Sequence, residues 1–427
     1  MSVEGAEKVA RIHKWLGNLP PGWSGARLFQ VANTWTSNVD KHTVEGQQPV
    51  RLCNYVDVYK NDSIVEALDF MTATATPEQV KKFRIRLGDT LITKDSETAD
   101  DIGVPAYVEY EDDDLICGYH LAIFRPDPRK IVPRFMYWAL DSEPIARQWG
   151  VIAAGVTRVG IRSTDLNKVT IPLPELDEQS AIADYLDYET ARIDALVAKQ
   201  DEFIGLLRER RSRVREVLAS RVARGHRLRW VLHEVDERAG VLAATLPLMS
   251  VSIDWGVRRR SETTDKLARA EDLSHYKICR EGDIVVNRMR AFQGALGVAP
   301  EDGVVSPDYA VLRFAHEYEP QWLAELMRTK AFVSEITQRL RGIGGTDSGN
   351  VRTPRINTDD LLDICADIPD STTQRDELTK LDLECSRIDR LITKAEQHIA
   401  LASERRTALI AAAVTGQIDI PPSRKAG

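Results

Sequence analysis

A shift of 195 residues lays one stretch of this chain onto another without a gap. Gln179 falls on Gln374, Leu186-Asp187 on Leu381-Asp382 and Glu189 on Glu384. Arg192-Ile193-Asp194 falls on Arg387-Ile388-Asp389, and Glu209-Arg210-Arg211 on Glu404-Arg405-Arg406. Eighteen of the 51 positions from Ile161 to Arg211 are identical to their partners. Self-similarity at long spacing decides architecture before any local pattern does. The chain is one module used twice.

Both copies are predicted to be long helices, the first from Glu178 to about Arg224, the second from near Thr373 to about Thr415. In the first, Leu186, Ile193, Leu207 and Val214 recur at seven residues or a multiple of seven. Leu196, Phe203 and Val217 are expected to fill the offset line of a coiled-coil seam, with Gln200 as a polar member. Pro172 and Pro174 stop the preceding segment, and Gly225 and Gly416 follow the two ends. The first helix is acidic before Arg208 and carries seven arginines from there to Arg224. The second opens with Asp376, Glu377, Asp382 and Glu384 and bears Arg405 and Arg406 near its end. Antiparallel packing sets acidic starts against basic ends, and each end suits its own helix dipole. About 40 helical residues make a rod of roughly 60 Å.

At 427 residues with 43% hydrophobic content, the chain has material for several cores. The N-terminus shows no basic, apolar, small-residue leader. The longest apolar run, Ala408 to Val414, is too short to span a bilayer. Cys53, Cys117, Cys279, Cys365 and Cys385 are scattered, which disfavours disulfide and zinc frameworks. A cytoplasmic protein is expected. The net charge of −8 argues against non-specific nucleic-acid binding by the whole surface but permits a local basic face. Glu109, Glu111, Asp112, Asp113 and Asp114 read as a solvated hairpin tip that cannot lie against phosphate.

Taken in order, a helix is expected from Ala6 to Leu16, then a rigid Leu19-Pro20-Pro21-Gly22-Trp23 lead-in. Pro49 to Tyr59 reads as a strand, and Phe83 to Leu87 turns through Gly88-Asp89 into a strand from Thr90, like a hairpin. His120 to Phe124 reads as another strand, Pro133 to Gly150 as a helix, and Ala154 to Gly160 as a loop. The same order recurs after the first long helix. Leu246 to Trp255 is a strand, Gly282-Asp283 repeats the turn, Tyr309 to Phe314 is a strand, and Pro320 to Leu340 is a helix. The two heads share order but little sequence.

No Walker loop, no methyltransferase signature and no clustered histidines are present, so a binding protein fits better than an enzyme, with no catalytic and no metal-ligating residues expected. Residues suited to DNA fall in recurrent loops. The stretch Arg341 to Arg355 offers Arg341, Thr346, Ser348, Asn350, Arg352 and Arg355 on a Gly-rich backbone. Arg258, Arg259 and Arg260 form a second cluster, and Arg288, Arg290 and Gln293 a third. In the first half, Arg84, Arg86, Lys94, Arg158 and Arg162 are their counterparts by position.

The chain resembles the specificity (S) subunit of type I restriction–modification systems. The resemblance is carried by Leu16-Gly-Asn-Leu-Pro-Pro-Gly-Trp23, by Ile171-Pro-Leu-Pro-Glu-Leu-Asp-Glu-Gln179, by Ile193 to Arg211, and by Arg405 to Asp419. The second lead, Asp367 to Gln374, lacks the Pro-Leu-Pro and Glu-Gln of the first. The resemblance implies an α/β (α+β) fold: two mixed α/β target-recognition domains separated by two long helices forming an antiparallel coiled coil, with an internal pseudo-two-fold repeat. The corresponding boundaries are 1–20 for an N-terminal helical segment, 21–173 and 227–369 for the recognition domains, and 174–226 and 370–427 for the spacer helices and tail. It further implies reading of a bipartite DNA target and docking of two modification subunits. No cofactor would be bound by this chain; S-adenosylmethionine would sit in the modification subunit, and ATP and Mg in restriction subunits. Gln179, Glu189, Arg192 and Asp194, with their repeats Gln374, Glu384, Arg387 and Asp389, are the docking candidates. Heads that have diverged should read two different half-sequences, giving an asymmetric target. A coiled-coil scaffold without DNA readout is the rival reading.

Overall fold

The structure is a computed structural model that describes residues 15–155, 158–253, 255–263, 272–315, 318–340 and 354–420. The N-terminal helix expected from Ala6 therefore lies outside the described residues except for Trp15 and Leu16, which are helical. The chain divides into two compact units, one of residues 1–200 with 397–427, the other of residues 201–396. Each long helix is shared between them.

In the first unit, Ala32–Thr36, Leu121–Pro126, Thr90–Thr93, Pro105–Val108 and Ser63–Ile64 form a five-stranded sheet in that order. Its last pairing is parallel and the others antiparallel. A three-stranded sheet places Gln48–Cys53 between Met71–Ala75, antiparallel, and Leu115–Cys117, parallel. Ser24–Arg27 pairs with Thr170–Leu173, so the chain enters and leaves the head side by side.

In the second unit, Leu232–Val235, Tyr309–Phe314, Ile284–Asn287 and Leu296–Val298 form an antiparallel sheet. Strand for strand, this is the order of the first four strands in the first unit. Val222–Arg227 pairs with Cys365–Ala366 and closes this head as Ser24–Arg27 closes the other.

The Gly-Asp turns are the best local match between the heads. Gly88 and Gly282 hold φ of +83° and +87°, a left-handed conformation that favours glycine. The following aspartates are buried. Asp89 accepts from the Arg86 backbone N–H at 2.8 Å and from Arg125 at 2.8 and 2.6 Å. Asp283 accepts from the Arg280 N–H at 2.8 Å and from Arg313 at 2.9 and 2.7 Å. Each Arg belongs to the strand neighbouring the one that follows its turn, so one carboxylate locks turn to sheet. In neither head is the turn a hairpin. Arg84 makes only an isolated bridge to Ile116, because Phe83 ends the helix Pro77–Phe83.

Other expectations also change. The strand from Pro49 stops at Cys53, since Asn54 and Asp57 form a capping box that starts the helix Tyr55–Tyr59. Pro133 to Gly150 is two helices, Pro133–Asp141 and Glu143–Ile152, broken at Ser142 before Pro144. Pro320 to Leu340 is likewise Pro320–Met327 and Lys330–Gln338, where Thr329 caps the second. The loop before Ile161 contains a short strand, Val159–Gly160, paired with Asp95–Ser96. The acidic run is no hairpin tip: it joins Pro105–Val108 of one sheet to Leu115–Cys117 of another, and Arg51 pairs with Asp112 at 2.6 Å and Asp114 at 2.7 Å.

The long helices are Leu176–Val214 and Ser371–Val414. The first stops ten residues short of Arg224; Arg215–Arg221 is a 3-10 turn. Leu186, Ile193 and Leu207 are buried as the heptad requires. The offset line is not Leu196, Phe203 and Val217, which are 48%, 41% and 65% exposed. It is Ala183, Thr190 and Ile204, all buried. In the second helix Gln374, Leu381, Ile388 and Ala395 are buried at intervals of seven. Within the first unit Ile182, Ala183 and Leu186 share a core with Ile410, Ala413 and Val414, start against end. Burying a side chain of Leu or Ile size contributes roughly 2 kcal/mol. Within the second unit, Arg208 meets Glu396 and Arg211 meets Asp389, so the two helices again run antiparallel.

Candidate nucleic-acid interface

In the first unit, the pairing of Val159–Gly160 with Asp95–Ser96 brings three of the predicted cations to one edge. The Ile161 N–H donates to the Lys94 carbonyl at 2.8 Å, which places Lys94 beside exposed Arg158 and Arg162. Lys94 pairs with Asp95 at 3.0 Å and lies 5.0 Å from the Tyr119 ring centre. His120 closes the group, with Nδ1 at 2.7 Å from Asp95 and φ of +70°, an uncommon conformation for any residue but glycine. Burial works against the Asp95 charge, but hydrogen bonds from His120 and Lys94 outweigh it and hold the carboxyl below its usual range. Such a network carries fixed donors and an aromatic pair, Tyr119 on His120 with ring centres 3.9 Å apart. It suits contacts to bases and phosphates. Sequence reasoning passed over His120, because neither its contact with Asp95, 25 residues away, nor its backbone conformation has a local signature.

Arg84 and Arg86 do not join this edge. Arg84 pairs with Asp113 at 2.5 Å in the acidic crossover, which cancels its charge locally. Arg86 is exposed, its backbone committed to Asp89.

In the second unit, Arg258 and Arg259 lie exposed on a hairpin of Met249–Ser252 and Gly256–Arg259, and Arg260 follows it. Arg258 sits 5.8 Å from the Trp255 ring centre, and Arg259 forms an ion pair with Glu301. Arg260 has a buried Nε without a hydrogen-bond partner among the described residues. Arg288 donates to the Asp308 carbonyl at 2.8 Å, and its own carbonyl accepts from Ile356, next to exposed Arg355. Burial pushes the Tyr309 hydroxyl up, while the charges of Arg260 and Arg290 act against that. Gln293 is exposed on the turn that follows Arg290. Arg341, Thr346, Ser348, Asn350 and Arg352 lie outside the described residues.

Residues 53–202, about a third of the chain, match the model of the type I restriction modification DNA specificity domain. Over these residues the chain is similar to the specificity domain of type I restriction–modification systems. Over 110 residues it is 32% identical to the MjaX specificity subunit of a type I restriction enzyme from Methanocaldococcus jannaschii. That match spans 26% of this chain and 26% of the relative. The fold is similar to that of the HsdS subunit from Thermoanaerobacter tengcongensis, with a TM-score of 0.55 at 19% identity over 94% of this chain and 98% of that one. A chain from a solved structure concerned with complex assembly and conformational transition of the type I R-M system aligns with a TM-score of 0.64 at 19% identity, over 94% of this chain and all of the other. Both likenesses are of fold.

Two of the eight predicted docking residues are buried, and most of the others are held in ion pairs. Gln179 and Gln374 are buried, and both make the same clamp. Gln179 accepts from the N–H of Val132 at 2.7 Å and donates to the Pro174 carbonyl at 2.8 Å. Gln374 accepts from the N–H of Glu319 at 3.0 Å and donates to the Pro369 carbonyl at 2.7 Å. Val132 and Glu319 each precede the first helix of their head's helix pair, so the repeated glutamine fixes head to rod and leaves the docking set. Asp194 pairs with Arg406 at 3.3 Å and Asp389 with Arg211 at 2.7 Å. Glu384 meets Arg210 at 3.6 Å, and Glu189 pairs with Arg192 along the helix at 2.8 Å. Arg387 is exposed.

The repeat also leaves matching apolar side chains exposed. Tyr188, Leu196 and Leu206 are 63%, 48% and 57% exposed; their repeats Leu383, Leu391 and Leu401 are 65%, 39% and 62% exposed. Each unit thus carries one Tyr188- or Leu383-type position, one Leu196-type and one Leu206-type. The identity of two of these pairs was visible in the sequence, but the heptad reading placed Leu196 in the seam.

Among the described residues no group of three or more His, Cys, Asp or Glu side chains is arranged to hold a metal, and no helix is long and apolar enough to cross a membrane.

Proposed function

We propose that this chain is the DNA sequence-specificity subunit of a type I restriction–modification complex, reads a bipartite asymmetric target and docks two modification subunits. The single observation that carries the reading is the double use of one architecture. Each unit has the same sheet order, the same Gly-Asp lock and the same glutamine clamp, yet the two put different residues on the loops that bear their cations. Equal frames with unequal reading loops suit a target whose two halves differ. Repeated exposed apolar side chains on the rod suit two copies of one partner.

In this reading the chain supplies no catalytic group. S-adenosylmethionine is held by the modification subunit, and ATP and Mg by restriction subunits, all in the cytoplasm. The Lys94, Arg158, Arg162 and His120 edge reads one half-target; the Arg258, Arg260, Arg288, Arg290, Gln293 and Arg355 face reads the other. With a net charge of −8, the isolated chain binds DNA weakly and with steep salt dependence.

The test is to express the chain with its cognate modification subunit in an unmethylated host and map N6-methyladenine across the genome. A split, asymmetric adenine motif is the expected result. A palindromic motif overturns the asymmetry. A stable complex without methylation, and without a shift of duplex mobility, returns the scaffold reading. Changing Tyr188 and Leu196 to Glu should reduce the bound partners from two to one by native mass spectrometry.

A further inference from the structure

The two units treat one equivalent crevice in opposite ways. Ser142 and Thr329 are matching joints in the two head helix pairs: Ser142 Oγ donates to the Ala139 carbonyl at 2.6 Å, and Thr329 Oγ1 to the Leu326 carbonyl at 2.7 Å. On either side of these joints, Asp141 and Glu143 correspond to Arg328 and Lys330. Across the crevice, the 195-residue shift relates Ser403, Arg406 and Ile410 to Arg208, Arg211 and Arg215. In the first unit a single cation meets acid there. Arg406 lies 2.8 Å from Asp62, 3.6 Å from Asp141 and 3.3 Å from Asp194.

In the second unit four of these positions have become cationic and the crevice is a cavity of about 660 Å³. Arg208, Arg211, Arg215, Arg328 and Lys330 line it, against the carboxylates of Glu216 and Asp389. The carboxylates are committed. Asp389 holds Arg211, and Glu216 accepts from the Lys330 backbone N–H at 3.0 Å. From behind, Glu325 lies 3.4 Å from Arg215 and 3.6 Å from Arg328, and Arg328 also donates to the Ile253 carbonyl. These contacts orient the guanidinium groups without matching the cationic charge of the lining. Arg208 is held only loosely, 3.4 Å from Glu396 with both side chains more than half exposed. Gln293 adds an uncharged donor at the rim.

We propose that this cavity of the second unit binds a phosphate group. Planar guanidinium forks suit tetrahedral oxyanions bidentately, exposed Lys330 adds a point charge, and the volume admits a phosphate with its ester substituent. A phosphate of the duplex backbone and a free phosphoester share this chemistry.

The experiment uses the full chain and the variants R208E, K330E and their double, with the alanine variants R208A and K330A as a second set. Calorimetric titration with pyrophosphate reports the free-anion arm. Fluorescence anisotropy of a labelled duplex, with the modification subunit bound, reports the backbone arm over a salt series. At least one arm should lose about tenfold in affinity in the double variant. Loss of pyrophosphate binding alone identifies a free phosphoester. Loss of duplex affinity, with a salt dependence shallower by about two counterions, identifies the backbone. If both glutamate and alanine variants keep the affinities of the parent in both arms, the proposal is overturned.

Discussion

The first unit fills its crevice with one arginine among three aspartates, whereas the second lines the same place with five cations around open space. Both rest on the same repeated helix. Arg211 and Arg406 are repeat partners, and so are Asp389 and Asp194, so the ion pair across the rod is common to both units. What differs is the head side and the rod positions that face it: Asp141 against Arg328, Glu143 against Lys330, Ser403 against Arg208. The ion pair across the two helices is kept in both copies, while the positions facing the crevice, with Ile410 against Arg215 among them, differ.

The comparison is broken most severely by truncation. Ending the chain at residue 400 removes Ile410, Ala413 and Val414, which are buried in the first unit's core. Each lost large apolar side chain costs about 2–5 kcal/mol. The first unit should become protease-sensitive while residues 201–396 survive digestion; equal digestion of both would mean that the units are not separately stable. Next come the locked turns. Asp89→Ala and Asp283→Ala each strand a partly buried arginine, at roughly 3–5 kcal/mol. Hydrogen exchange should localise the loss to the mutated head in each case, with similar size. The glutamine clamps are smaller. Gln179→Ala and Gln374→Ala leave a buried N–H unpaired, costing about 1–3 kcal/mol by urea unfolding.

The smallest effects distinguish the units. Arg406→Ala leaves three carboxylates facing one another and should cost roughly 2 kcal/mol, while Arg211→Ala, at a more exposed pair, should cost under about 1 kcal/mol. Equal costs would show that the acidic cluster adds nothing. Burial pushes the Asp141 carboxyl up to about 6, against the pull of Arg406 and with the push of Asp62. An unfolded Asp titrates near about 3.9, so the fold prefers this group protonated. Its contribution is present in full below the unfolded value and is lost as pH rises through about 6. Melting of the first unit followed from pH 4 to pH 7 should show this decline, and Asp141→Asn should flatten it.

How far the sequence foretold all this depends on the range of the interaction. The long helices were legible because a heptad is local, and Leu186, Ile193 and Leu207 are where their spacing put them. The companion line was misread because Thr190 and Ala183 are small or polar, so a hydrophobic count preferred Leu196 and Phe203. The Gly88-Asp89 and Gly282-Asp283 turns were visible from two residues each. Their locking arginines, Arg125 and Arg313, stand 36 and 30 residues further on and had no local mark. Sheet order escaped for the same reason. At the candidate interface the sequence located Lys94, Arg158 and Arg162 as cations. That they meet at one edge follows from the pairing of Val159–Gly160 with Asp95–Ser96, two residues against two.

The sharing of each long helix between the units also sets a timetable for synthesis. Residues 201–396 are contiguous, so the second unit has all its parts once Glu396 clears the ribosome. The first unit, although its head is translated earlier, lacks a wall until Ile410 to Val414 arrive. Its nascent apolar surface around Ile182 and Leu186 must wait through more than two hundred codons, and the head made first is the one finished last.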